Sequence, residues 1–548
     1  MTDGSATIAQ AEQTASSAVE AGRRERRALA GRAGIVGAGT LVSRLLGLVR
    51  DTTLAALFTR AQTDAFWVAF TIPNALRQLL GEGVTSSAVV PVLSEVRAKE
   101  GEEAARRYLA YMRGVSILSL VVATVLGILF ARPLVELFAG GLHARGEDAF
   151  ERAVELTRWL FPYIFFAGTA ALGMAALNTY GRFAAPAFAP ALLNVSFIAC
   201  AFALPSWLES GSRDGVLALA IGALLGGVLQ VVAQWPALRK ADLLQRPRLS
   251  FSDPNVRKTL ARIVPMTFGI GVYYLDLILS RRFLSELPEG SQSYFSWAMR
   301  LCDFPQGIFV LALQAATLPS LSSLAAQGHK DEVSKTYAYS MRLALFVAIP
   351  AAALFVGLAH PLVVTIFQRG AFDAVSSAET ARALAAQGLS IWTVAIVRQL
   401  TPVYYALGDT RTPVIVSAID VLVFIGCALT LRGPLGHVGV GLAVTASSAA
   451  QMLLLFVLLR RKLEDLRLVE IGVSAARTLF AAGLAVFAGR GVAALLDRGA
   501  EASAWQRLWP GIFGAASFGL TFLVLAWVLG SPELRVVVGG LGRRLRRK

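Results

Sequence analysis

Apolar runs close to twenty residues long recur from Gly34 to Gly530, and this recurrence constrains the fold more than any other feature. In hydrocarbon no water satisfies backbone N–H and C=O groups, so a crossing segment must be a helix or part of a closed barrel, and about twenty residues is the helical length. With 55% hydrophobic and 16% charged residues and a mean hydropathy of +0.59, the 548-residue chain is excluded from the ordinary soluble class. The runs predict an all-α integral membrane protein of about fourteen transmembrane helices. The expected spans are 34–58, 64–93, 109–130, 155–180, 186–205, 215–238, 258–283, 294–323, 336–357, 384–406, 411–431, 438–460, 471–494 and 510–530.

The formal charge of +16 does not point to nucleic acid, because the basic residues sit between apolar runs and at the two ends. Arg97, Lys99, Arg106 and Arg107, then Arg239, Lys240, Arg246, Arg248, Arg257 and Lys258, then Arg460, Arg461 and Lys462 fall in alternate connections. The positive-inside rule therefore places both termini in the cytoplasm with an even number of spans. Residues 1–33 lack an apolar core and read as a flexible cytoplasmic extension rather than a signal peptide. Cys200, Cys302 and Cys427 stand far apart in apolar contexts and suggest packing, not disulfides or metal binding.

The chain also repeats itself. Pro91-Val92-Leu93-Ser94 recurs as Pro319-Ser320-Leu321-Ser322, and Tyr180-Gly181 with Pro186 recurs as Leu407-Gly408 with Pro413, at offsets of 228 and 227 residues. An offset spanning six helices preserves orientation, so the halves are expected to be parallel repeats about an axis along the membrane normal. The predicted organisation is an N-lobe over 34–238, a cytoplasmic linker over 239–257 and a C-lobe over 258–460. Two further helices over 461–530 and a basic tail over 531–548 follow.

Charges inside the spans are the functional signal. Arg44, Arg50 and Asp51 lie in the first span, and at about 100° per residue Thr40, Ser43, Arg44, Gly47, Arg50 and Asp51 share one arc while Leu41, Leu45 and Leu48 face away. A charge at the bilayer centre costs about 2.5–3.5 kcal/mol on insertion scales, so such residues line a polar cavity or meet a partner. The second span adds Asp64, Pro73, Asn74, Arg77, Gly81, Glu82 and Gly83. The eighth repeats that grammar with Arg300, Asp303, Pro305 and Gly307, and both prolines are expected to kink or break their helices. The alternative is that these charges form ion pairs closing the two halves. Arg398 reads as an ion-pair or snorkelling residue.

Ser43-Arg44-Leu45-Leu46-Gly47 with Arg50-Asp51, Thr63-Asp64-Ala65-Phe66, Pro73-Asn74-Ala75-Leu76-Arg77 with Glu82-Gly83, and Arg300-Leu301 with Phe304-Pro305 and Leu318-Pro319-Ser320-Leu321-Ser322 together resemble the lipid II flippase MurJ (MviN) family of the multidrug, oligosaccharidyl-lipid and polysaccharide exporter superfamily. The resemblance runs over roughly 34–530. It implies transfer of an undecaprenyl-diphosphate-linked peptidoglycan precursor, lipid II, across the bacterial cytoplasmic (inner) membrane by alternating access. It implies substrate-binding roles for Arg44, Arg50, Asp64, Arg77 and Arg300 and a groove for the lipid tail along the last two helices; beside them Asp51 reads as a substrate-site residue that orients Arg50, and Glu82 as a gate candidate or else a solvated end residue. Arginine's planar fork suits diphosphate oxygens independently of that resemblance.

Asp276 and Asp420, with the hydroxyl of Thr445, are candidates for coupling to a sodium ion or proton, since the family's second half can hold a sodium site and oxygen ligands suit a small hard cation. No other cofactor and no firm metal site is expected. The partners implied are lipid II, membrane lipids and cell-wall synthesis proteins. No phosphate-binding glycine loop, HExxH helix or Cys/His cluster occurs, so the chain reads as a transporter and not an enzyme. A cation-coupled exporter of drugs or other lipid-linked oligosaccharides and a non-transporting scaffold remain as alternatives.

Overall fold

The computed structural model describes residues 34–78, 83–463, 465–499 and 503–536, and among them every regular element is a helix. Helix α1 covers residues 34–57. It is followed by α2 (Arg60–Arg77), α3 (Gly83–Leu129), α4 (Ala131–Ala139), α5 (Glu147–Leu160), α6 (Tyr163–Thr179), α7 (Ala184–Ala203), α8 (Pro205–Ser210) and α9 (Leu217–Lys240). The second half holds α10 (Pro254–Ser285), α11 (Ser291–Pro305), α12 (Leu311–Ala326), α13 (Lys330–Gly357), α14 (Ala359–Phe367), α15 (Ala374–Gly388), α16 (Ser390–Ala406), α17 (Arg411–Leu435) and α18 (His437–Leu459). Helices α19 (Leu468–Leu496) and α20 (Trp509–Val528) complete the chain.

Ten helical stretches of the described residues are long and apolar enough to cross a membrane. The four other expected spans coincide with α1, with α2 and the first part of α3, with α10, and with α11 running into α12. These are the first and second spans of each proposed half, and they carry Arg44, Arg50, Asp51, Asp64, Arg77, Asp276, Arg300 and Asp303. The polar positions that depress their hydropathy are the ones the sequence marked as functional.

Local chemistry starts and stops these helices. Thr59 and Gln62 form a capping box at the start of α2, and Asp253 accepts from the N–H groups of Asn255 and Val256 with Pro254 as first residue of α10. At the end of α6, Arg182 donates to Leu177 O at 2.9 Å and Gly181 to Asn178 O at 3.0 Å. At the end of α16, Asp409 donates to Tyr404 O at 2.9 Å and Gly408 to Tyr405 O at 3.1 Å. Gly181 and Gly408 both adopt positive φ, 71° and 76°. The two helix ends are the same Schellman motif, so the short sequence repeat corresponds to a repeated turn.

Pro73 lies within α2, which continues to a C-cap at Gln78, so the expected break is absent at that residue. Pro305 does end regular α-helical bonding, and Gln306–Val310 follow as a π-helical segment before α12. Gly81 and Glu82, residues 1–33 and the basic tail from residue 537 lie outside the described residues.

The basic connections meet at one end, where Lys258 pairs with Glu95 at 2.6 Å, Arg106 with Asp242 at 2.6 Å and Lys462 with Asp409 at 2.9 Å. At the other end one apolar cluster joins both halves, from Leu54, Phe66 and Trp67 to Trp297, Phe367 and Ile391. Trp67 meets Trp297 edge-on with ring centroids 5.0 Å apart.

Candidate functional site

A cavity of about 890 Å³ lies between the halves, and Arg44, Arg50, Arg77, Arg300 and Arg398 all line it. Helix α1 supplies its polar arc, with Thr40, Ser43 and Gly47 beside the arginines. Leu41 and Leu45 face outward, 47% and 48% exposed. Leu48, expected to face away, instead reaches the cavity wall.

Asp51 is the hinge of the charge network. Its buried carboxylate takes Arg50 Nε at 2.8 Å and Arg50 Nη2 at 2.6 Å on Oδ1, while Arg300 Nε from the opposite half lies 2.7 Å from Oδ2. One acid thus holds an arginine from each half. Asn194 on α7 accepts from Arg50 Nη1 at 3.1 Å and donates to Ser43 O at 2.9 Å, and the Phe197 ring lies 5.4 Å from the Arg50 guanidinium carbon.

Arg44 crosses to the second half, where Nη1 donates to Asp303 O at 3.4 Å. A Cβ at Gly307 would come within 2.0 Å of the Arg44 guanidinium, so the absence of a side chain there lets Arg44 reach across. Arg44 Nε is buried without a hydrogen-bond partner. Arg77 donates from Nε to Asn74 Oδ1 at 3.1 Å. Five arginines against Asp51 and Asp303 leave the cavity cationic, with guanidinium donors presented to its interior.

Asp64 does not line this cavity. Its buried carboxylate sits in the closure at the opposite end and receives Arg145 Nη1 at 2.7 Å, Gly290 N at 2.8 Å, Ser293 N at 2.8 Å and Ser293 Oγ at 2.7 Å. Gly290 is the N-cap residue of α11, so an acid of the first half caps a helix of the second. Arg145 in turn donates to Leu284 O at 3.2 Å, to Pro288 O at 3.1 Å and to Leu287 O, at the C-terminal end of α10. Anion at a helix N-terminus and cation at a helix C-terminus each complement the helix dipole. Arg60 pairs with Asp373 and donates to Ser376 Oγ at 3.1 Å, and Ala371 N donates to Ala56 O at 2.8 Å. Asp64 thus pairs with Arg145 of its own half and reaches the other half through Gly290 and Ser293.

Asp276 on α10 and Asp420 on α17 lie close together, and Ser447 on α18, whose hydroxyl donates to Val444 O at 3.2 Å, lies near Asp420. Thr445 is one helical step away and donates to Ala386 O at 3.0 Å, so it ties α18 to α15 instead of joining the aspartates. Among the described residues no cluster of three or more His, Cys, Asp or Glu side chains forms a metal site. Glu82 lies outside the described residues.

Sequence reasoning missed Arg145, Ser293 and Asn194, and treated Arg398 as peripheral. Arg145 stands among ordinary connection charges, and Asn194 and Ser293 are polar without being charged; only the fold brings them to their partners. Asp303 was visible as an intramembrane acid.

A sequence profile described as "Lipid II flippase MurJ" matches residues 54–504. The chain is 39% identical to "Lipid II flippase MurJ" of Burkholderia cenocepacia over 77% of this chain and 82% of that protein. It is 34% identical to "Probable lipid II flippase MurJ" of Bdellovibrio bacteriovorus over 79% of this chain and 82% of that protein. Among solved structures, "Lipid II flippase MurJ, inward closed conformation" aligns with a TM-score of 0.72 at 22% identity, covering 90% of this chain and 99% of that one. An inward-facing multidrug resistance MATE family transporter of the MOP superfamily aligns with a TM-score of 0.63 at 17% identity, covering 78% and 95%. These structural likenesses concern the fold. The profile match across most of the chain, together with the relatives' identity, carries the assignment, and the arginine cavity between two helical halves agrees with it: this multi-pass membrane chain belongs to the lipid II flippase MurJ family.

Proposed function

We propose that the chain carries lipid II from the inner to the outer leaflet of the bacterial cytoplasmic membrane by alternating access, with the diphosphate held in the arginine cavity. The observation that carries this reading is the Arg50–Asp51–Arg300 bridge, which brings one guanidinium from each half to the same wall. An arriving diphosphate competes with Asp51 for both guanidiniums, so binding alters the contact between the halves. Arg44, Arg77 and Arg398 supply further donors around it. With both termini cytoplasmic, the Asp64–Arg145 closure lies on the outer side and the cavity belongs to the inward-facing part of the cycle. Helices α19 and α20 guide the lipid tail.

The Asp276–Asp420 pair supports a coupling role for a proton or sodium ion. Two carboxylates this close repel unless a proton or cation lies between them, and Ser447 offers a third oxygen in place of Thr445. A cation-coupled exporter of another cargo shares this feature, but five cavity arginines disfavour cationic drugs. The deciding experiment is rescue of cells depleted of their own lipid II flippase, with outward movement of the lipid measured directly. Rescue with measured movement supports the reading; rescue without movement assigns a scaffold role.

A further inference from the structure

A second cavity, about 770 Å³, lies away from the arginine cavity and shares no lining residue with it. It is walled by α14, α15 and the facing ends of α19 and α20, and it sits at the same end of the molecule as the closure. Arg382, Arg490, Arg498 and Arg507 line it, against Asp497 as the one lining acid among the described residues. Arg382 is held by Glu379 at 3.0 Å, whereas Arg490 and Arg498 have no carboxylate within ion-pair distance among the described residues. Small and apolar residues, Ala381, Ala385 and Ala494 among them, make up most of the rest of the lining, with His360, Gln368 and Gln506 as its uncharged polar members, so the groove has an apolar floor beneath its charged rim.

Its depth in the membrane is marked independently. Trp505 and Trp509, at the entrance to α20, are 75% and 43% exposed, and exposed tryptophans of this kind belong at the level of lipid headgroups. Leu495, 87% exposed at the end of α19, lies on the same rim. Arginines that gather at this level, on the end opposite the basic connections, run against the topological bias that explains the other basic residues.

We propose that this groove binds an anionic glycerophospholipid of the surrounding leaflet, its phosphodiester held by Arg490 and Arg498 and an acyl chain lying along the alanine wall between α15 and α19. A membrane lipid fits better than a soluble anion because the charged rim opens onto an apolar floor at headgroup depth. It fits better than the transported cargo because the closure and the apolar cluster separate this groove from the arginine cavity. The site does not depend on what the arginine cavity carries.

The test uses the full chain in nanodiscs with a photoactivatable phosphatidylglycerol probe, and cross-linked peptides located by mass spectrometry. Peptides from 356–385 and 490–511 should be labelled strongly by this probe and about tenfold less by a matched phosphatidylcholine probe, whose phosphodiester is the same but whose quaternary ammonium is repelled by the groove arginines. Arg490→Gln with Arg498→Gln should lower groove labelling by a similar factor, whereas Arg239→Gln with Lys240→Gln at the opposite end should leave it unchanged. Arg490→Lys with Arg498→Lys should restore part of it. Equal labelling by both probes overturns the proposal, as does loss of labelling on adding millimolar inorganic phosphate, which would make the groove a site for a soluble anion. Should the double glutamine variant fail to fold, the contrast between the two probes on the unaltered chain decides the matter alone.

Discussion

The two ends of the interface between the halves use the same residue types to opposite effect. At the closure, Asp64 meets four donors and Arg145 spends its guanidinium on one carboxylate and three helix-end carbonyls, over a cluster of interlocked aromatic rings. In the cavity, five arginines stand against two aspartates among the described residues, and Arg44 Nε lacks a partner. The closure is satisfied by the protein itself, while the cavity is satisfied only in part and retains donors for an anion. Local stoichiometry of acid to base, not the presence of arginine, separates a latch from a binding site.

The largest effect should come from the cavity. Replacing Arg50 or Arg300 with Ala is expected to lower lipid II transport about 10- to 100-fold, the equivalent of losing charged hydrogen bonds of about 1.5–3 kcal/mol, with membrane insertion largely intact. Lysine keeps the charge but loses the fork, so Arg50→Lys and Arg300→Lys should recover only part of the rate. Direct measurement of flipping at matched protein levels checks this. Normal transport in both alanine variants would remove the clamp.

Next comes the closure. Asp64→Asn leaves an acceptor for Ser293 but strips the charge facing Arg145, and breaking one side of a buried pair is costly. A cysteine at Ala298, 0% exposed beneath the closure, should then label about tenfold faster in a chain lacking Cys200, Cys302 and Cys427. A cysteine at Ser43 in the cavity should change in the opposite direction when lipid substrate is added to the otherwise unaltered chain. Unchanged labelling at both positions during demonstrated transport would refute alternating access through this interface.

The contrast also explains what the sequence could reveal. The helical architecture was legible because hydrocarbon leaves the backbone few choices, and the repeated turns at Gly181 and Gly408 preserved their sequence signature. Arg44, Arg50, Arg77 and Arg300 stood out because intramembrane charge is costly. What the sequence could not supply was distance: Asp64 has the same standing as Asp51 as an acid inside an expected span, yet one caps α11 and the other bridges two cavity arginines. Thr445 and Ser447 are similarly indistinguishable until the packing of α18 against α15 turns one toward Ala386 and the other toward Asp420.

A voltage effect should be smaller than either mutation. An inside-negative potential contributes about 2.3 kcal/mol per elementary charge per 100 mV crossed, and only a fraction of the field acts on groups that move part of the way. An excess of arginines in the cavity predicts that the potential favours outward passage of an anionic head and inward return of the emptied cationic site. Collapsing it should slow flipping by a few-fold even with an ion gradient in place. A rate independent of voltage in clamped vesicles without ion gradients would turn attention to Asp276 and Asp420.

The smallest effect lies beside the closure, where the latch contrasts with a titratable neighbour. His143, two residues before Arg145, contacts Glu136 at 2.7 Å and Glu147 at 2.9 Å and stacks on Phe150 at 3.9 Å. The hydrogen bond that the ring donates to Glu136, joined by the one to Glu147, raises its pKa above the ordinary imidazole value. A raised folded-state pKa means that this contact stabilises fully below the ordinary value and fades as pH rises through the shifted one. Hydrogen exchange, corrected for intrinsic rates, should therefore show segment 140–147 modestly less protected at about pH 8.5 than at about pH 5.5, with the N-terminus of α11 unchanged. His143→Gln should abolish the difference. Parallel loss of protection at Gly290 and Ser293 would show that the histidine cluster and the latch open together, and the division between a titrating rim and a fixed latch would fail.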